Sequence, residues 1–235
     1  MSPHRIIFLA SILCLLIFNT QSGAKSKQKA PPGGRLAIVV DERLSALRSK
    51  PDLRAKLIRR LARGRPLAIK GIKSSPDGIV FFLVNASRRT QGWIQREAVV
   101  APSHKGDDAR LLLLIKASAD FDRIVRARIL LDYFPQSSLR QEVLLILGDT
   151  AELLSSKLSQ EAERRTTNHS SAPSFSFFLN YSGLDRYNRQ GVGFVFDEQS
   201  RRLHYDGAAW REILRRYPRS YEAQEARRRL THSLR

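Results

Sequence analysis

Residues 126–147 read RARILLDYFPQSSLRQEVLLIL, and residues 209–230 read AWREILRRYPRSYEAQEARRRL. The two stretches align without a gap at a separation of 83 positions, and seven of the 22 residues are identical: Arg128/Arg211, Leu131/Leu214, Pro135/Pro218, Ser137/Ser220, Gln141/Gln224, Glu142/Glu225 and Leu147/Leu230. Aromatic Phe134 matches aromatic Tyr217. In each stretch an apolar helical stripe closes on the aromatic, and the following proline forbids continuation of the helix. The serine two places later is suited to cap a second helix that packs back antiparallel on the first. Trp210, Ile213, Leu214 and Tyr217 are then expected between helices, as core.

Residues 103–235 are therefore expected to form a helical domain. Asp107-Asp108-Ala109 suits a helix start. Phe121, Ile124, Val125, Ala127, Leu130 and Leu131 recur at helical spacing up to Pro135, and Val143, Leu144, Leu147, Ala151, Leu154 and Leu158 carry a further helix from Leu139 to about Arg165. The pattern is interrupted at about 166–207. Thr166 to Ser176 is polar and reads as loop, Leu184 to Tyr187 as a helical turn, and Val192–Phe196 with Leu203–Tyr205 as a β-hairpin. Eight of the chain's 19 aromatic residues fall in this interruption. Two readings stay open for them: a packed aromatic plug, or a recognition surface combining Tyr181, Arg186 and Tyr187.

Residues 35–102 follow a different rhythm. Leu36–Val40, Pro66–Lys70, Ile79–Val84, Gly92–Ile94 and Ala98–Val100 are short β-type runs, separated by turns at Gly64, Gly71, Pro76-Asp77-Gly78 and Gly92. Several short strands at close spacing suggest a small barrel. Arg54–Arg65 (RAKLIRRLARGR) carries Arg59, Arg60 and Arg63, and its leucines, with Leu53, recur every four residues, so a short amphipathic helix is an alternative there. Trp93 offers either a flat contact surface with an N–H donor or a plug behind the Gly92 turn.

The order Leu47-Arg48-Ser49-Lys50-Pro51, Leu57-Ile58, Leu61, Gly64, Leu67-Ala68-Ile69, Gly92-Trp93-Ile94 and Ala98-Val99-Val100 resembles a bacterial SH3-like (SH3b) domain. One departure is Val80–Val84, which stands where the family has an aromatic strand motif. The paired elbows resemble the helix–turn–helix unit of tetratricopeptide (TPR) proteins of the bacterial envelope. An 83-residue separation in place of the usual 34-residue period implies a degenerate or interrupted array. Together these resemblances imply an α+β multi-domain protein: a small SH3-like β-barrel followed by an α-helical TPR-like domain with a β-hairpin insertion. They also imply binding to cell-wall peptides (peptidoglycan) or to protein partners.

The leader and the charge bear on address and partners. Arg5, the apolar run Ile6–Phe18 and Ser22-Gly23-Ala24 read as a secretory signal peptide over 1–24, cleaved rather than retained as an anchor because the run falls short of a bilayer. Cys14, the only cysteine, sits mid-run, so the processed chain has no disulfide and no thiol site. Lys25–Gly34 has no large apolar residue and reads as a flexible basic linker. The destination expected is periplasmic or secreted, with no transmembrane span left after cleavage. With 41 Lys and Arg against 22 Asp and Glu the formal charge is +19, and residues 35–102 hold 15 basic residues against 5 acidic. Such a field attracts polyanions such as lipopolysaccharide, wall polymers or nucleic acid, or is a solvated surface.

Catalytic machinery is not apparent. No H-E-x-x-H, G-x-S-x-G, Walker-type or G-x-G-x-x-G motif occurs. His204 near Asp206 is the one base-and-orienter pair, and it lacks a nucleophile. A non-enzymatic adaptor without metal or cofactor is the expectation.

Overall fold

The computed structural model describes residues 31, 33–167 and 183–233. The leader 1–24, the linker through 30, and Tyr181 lie outside these described residues. The chain forms an N-terminal antiparallel β-sheet domain and a C-terminal α-helical domain.

The sheet domain has seven strands: β1 (Arg35–Val39), β2 (Ala46–Arg48), β3 (Leu57–Arg60), β4 (Pro66–Ser74), β5 (Val80–Ser87), β6 (Thr90–Gln95) and β7 (Val99–Val100). Their order is β3-β2-β6-β5-β4-β1-β7, and every pairing is antiparallel. β1 explains how the two domains join. Its apolar run is continuous because both faces are buried. Ala37 and Val39 point into the sheet core with Leu47, Leu67, Ile69, Phe82, Val84 and Ile94. Ile38, Val40 and half-buried Leu36 point the other way and pack with the helices, joined by Val100 of β7.

The helical domain contains α1 (Asp107–Lys116), α2 (Asp120–Tyr133), α3 (Arg140–Thr167), the short α4 (Leu184–Asn188), a hairpin of β8 (Phe194–Asp197) and β9 (Arg202–Tyr205), then α5 (Ala208–Arg216) and α6 (Tyr221–Ser233). Polar bonds reinforce the apolar joint. Buried Arg126 of α2 donates from Nε to the Val40 carbonyl (3.1 Å) and from Nη1 to Ser118 Oγ (2.5 Å). Burial, with the nearby Arg63 charge, draws its pKa below the ordinary value. Asp107 Oδ2 accepts the Ala101 N–H (2.8 Å), and Arg110 donates to the carbonyls of Glu97 and Val99.

The two elbows echo each other in backbone as well as in sequence. Phe134 N–H donates to Leu130 O and Tyr217 N–H to Ile213 O. Ser137 N–H donates to Phe134 O, and Ser220 N–H to Tyr217 O. Ser220 Oγ accepts the Ala223 N–H (3.1 Å), a helix N-cap; Ser137 Oγ accepts the Leu139 N–H (3.2 Å) one turn before α3. The α5 pair seats on α3 through Trp210, which is 1% exposed and lies against Gly148. β9 also runs along α3. Its Leu203 N–H donates to buried Ser159 Oγ (2.8 Å) and its Tyr205 N–H to Glu152 Oε2 (3.3 Å), so helix side chains supply acceptors to the strand. The N-cap position of α5 is Gly207, which has no side chain to cap the helix. Tyr205 Oη accepts the Ala209 N–H (2.7 Å) and Asp206 Oδ1 the Ala208 N–H (2.9 Å) instead.

Several expectations need correction. Gly71 and Gly92 are not turns but lie inside β4 and β6, and Thr166 and Thr167 continue α3 rather than opening a loop. Residues 54–65 are not a helix: Leu57–Arg60 is a strand, paired with β2. The four-residue leucine spacing does not define one buried face, since Leu53 and Leu57 are exposed and only Leu61 is buried. The hairpin strand begins at Phe194, and Val192 is buried in the helical core before it.

Candidate functional site

In an antiparallel sheet, directly opposed residues share a face. The observed register therefore lays one continuous row across five strands. Leu57 opposes Arg48, Arg48 opposes Trp93, Trp93 opposes Leu83, and Leu83 opposes Gly71. This row lies on the face opposite the sheet core, because its neighbours along β6, Gly92 and Ile94, are the residues that turn inward. Trp93 is half-buried and joins neither apolar core. Its indole N–H makes no hydrogen bond among the described residues.

The local sequence accounts for this placement. A Cβ on residue 92 would stand 2.7 Å from Leu47 Cγ and 2.9 Å from both the Arg48 carbonyl oxygen and Ile58 Cδ1. Only glycine lets β2 and β3 cross so close to β6, and that crossing brings Arg48 beside Trp93. Arg48 is held in place by donating from Nη1 to the Ala55 carbonyl (2.9 Å), which ties it to the loop between β2 and β3. At the far end of the row Gly71 offers no side chain, leaving a step beside Leu83. The result is an apolar strip around an aromatic plane, with one unpartnered donor and one fixed guanidinium.

The predicted basic residues divide. Arg59 and Arg60 are exposed on β3 and make no ion pair with any described residue. Arg54 and Lys56 are exposed beside them in the preceding loop. Arg63 is different. Its side chain is 12% exposed, its Nη1 lies 2.5 Å from Asp122 Oδ1 of α2, and its N–H donates to Glu42 (2.9 Å). Arg63 fastens the sheet to the helices.

The aromatic interruption packs inward. Tyr187 is 1% exposed, with Phe121 and Phe194 meeting it edge-on at 5.4 Å and 5.6 Å. Arg186 is exposed and lays its guanidinium over Phe121 (5.1 Å) and Tyr187 (4.7 Å), donating from Nη2 to the Tyr187 hydroxyl (2.7 Å). Tyr187 thus stands in the plug, with Arg186 as its lid. Trp210 and Ile213 are buried between helices, and Leu214 and Tyr217 pack against them. His204 and Asp206 do not combine, because Asp206 caps α5. Among the described residues no group of three or more His, Cys, Asp or Glu could hold a metal ion, and no helix is long and apolar enough to cross a membrane.

Sequence reasoning singled out Trp93 but missed its row. Arg48, Leu57 and Leu83 gain their meaning from cross-strand register, which has no local signature. Compared with protein-family models, with curated proteins and with solved structures, the chain has no significant match in any of the three comparisons. The architecture, a β-sheet domain docked on a helical domain, is consistent with an interaction-type protein.

Proposed function

We propose that this chain is a non-enzymatic adaptor of the bacterial cell envelope, exported by its leader and built from an SH3b-like sheet domain and a degenerate TPR-like helical domain. The sheet domain engages wall material or a protein partner, and the helical domain holds a second protein. The observation that carries this reading is the outward row centred on Trp93, a half-buried indole with an unpaired N–H that lies on the face of β6 opposite the sheet core and joins neither apolar core. An aromatic plane with a free donor suits recognition of a sugar or peptide stem.

The test is retention of the chain on purified peptidoglycan at low and at high salt, with Trp93→Ala as the probe. Retention that survives salt and falls at least tenfold in the variant supports the reading. No retention under either condition removes its wall-binding half.

The +19 charge favours a second reading, electrostatic binding to a polyanion. It predicts affinity that collapses with salt and is shared among DNA, heparin and lipopolysaccharide. Arg59→Glu with Arg60→Glu reports on it. Arg63 is unsuitable as a probe, because a glutamate there would face Asp122.

A further inference from the structure

β3 is the last strand on its side of the sheet, paired only with β2. An end strand carries unpaired backbone donors and acceptors along its outer edge, and proteins normally hide such an edge. Here all four residues, Leu57, Ile58, Arg59 and Arg60, are exposed, Leu57 and Ile58 at 45% and 44%. The direction of the free groups follows from the bonds already made. Leu61 N–H donates to Ser45 O and its carbonyl accepts from Ser45 Oγ, so Leu61 faces β2. By the alternation of antiparallel ladders Arg60 turns its N–H and C=O to the open side.

We infer that the β3 edge is a docking site for an acidic segment of a partner protein, which adds to the sheet as an extended eighth strand. The backbone of Arg60 supplies the ladder, Leu57 and Ile58 supply apolar contact, and Arg54, Lys56, Arg59 and Arg60 supply the complementary charge. The same charge excludes a second copy of this chain, since two β3 edges would bring four arginines together. A nucleic acid or lipopolysaccharide would use the charge, and a phosphate oxygen can accept the Arg60 N–H, but neither continues the alternating donors and acceptors of a strand ladder as a peptide does. This site rests on the reading of the sheet domain as a binding module; it shares Leu57 with the end of the outward row but not Trp93, which sits two strands inward.

The probe is a synthetic peptide of about eight residues alternating Glu and Val, titrated into the chain and followed by fluorescence anisotropy and by amide exchange at Arg60. Binding with at least tenfold slower exchange of the Arg60 amide is expected. Arg60→Ala removes one charge. Arg60→Pro removes the same charge and the N–H as well, without touching a bond to β2, and it should weaken binding at least tenfold further. Trp93→Ala should leave the peptide affinity unchanged, so failure here is distinguishable from failure of wall binding. Should Arg60→Pro not fold, the exchange measurement on the parent chain decides alone. The inference is overturned if the peptide does not bind, if the Arg60 amide is not protected, or if the proline and alanine variants bind alike while heparin competes fully.

Discussion

The seat of Trp210 on α3 gives the sharpest test of the helical domain. A methyl group placed on Gly148 would stand 2.2 Å from the indole Nε1 and 2.7 Å from Cδ1 and Cε2. Contact between such atoms is comfortable only near about 3.5 Å, so the indole must retreat by more than about 1 Å. Yet it is 1% exposed and braced edge-on by Tyr205 at 5.2 Å. Overpacking of this kind costs about 1–3 kcal/mol, and expelling the ring altogether about 3–5 kcal/mol. Against that, alanine is the better helix former by about 1 kcal/mol. The expected net loss for Gly148→Ala is about 2 kcal/mol, or about 4–8 °C in Tm for a chain of this size. Calorimetry reads the loss. Because the chain has only two tryptophans, Trp93→Phe isolates the Trp210 emission, which should shift to longer wavelength in the glycine variant. If Gly148→Ala melts at or above the parent, α5 does not dock through Trp210 as described.

Three further outcomes are expected. Arg126→Met leaves the Val40 carbonyl without its donor inside the joint; a loss of about 1–3 kcal/mol should follow, with calorimetric transitions of the two domains separating where the parent shows one. Burial pushes the Tyr205 phenol well above its ordinary value of about 10. The folded chain therefore holds that proton more tightly than the unfolded chain, and stability complete below about pH 10 should fall as pH rises above it; a Tm series from pH 8 to 11 shows the fall in the parent and a shallower one in Tyr205→Phe. Ser220→Ala removes the cap on the Ala223 N–H and should cost about 1 kcal/mol by thermal melting, against a few tenths for substitution of an exposed serine such as Ser156.

What could be read from sequence was the part fixed by local chemistry. Pro135 and Pro218 cannot continue the helices that precede them, and Ser220 caps because its hydroxyl reaches a nearby N–H. The run Leu36–Val40 announced a strand, whereas the burial of both its faces emerges only once the helices dock on it. Non-local pairing stayed hidden. β2 and β3 are three and four residues long, with a register shift between Leu47 and Arg48, and the leucine spacing near them mimicked a helix. Trp93 was open to both the plug and the surface reading until Gly92 showed which residue the crossing strands press upon. Arg63 read as one more cation of a basic run, and only the docking of α2 reveals it as a fastener.

The double duty of β1 has a consequence for how the polypeptide can be divided. Severing it near Pro102 would not release two self-sufficient halves: the C-terminal fragment would lose the wall formed by Ile38, Val40 and Val100, and the N-terminal fragment would show that wall, greasy and bare, to water. Deletion of the first strand should therefore harm the distant helices as much as the sheet itself. Evolution could swap either half for another module only by redesigning the five-residue ribbon that both lean on.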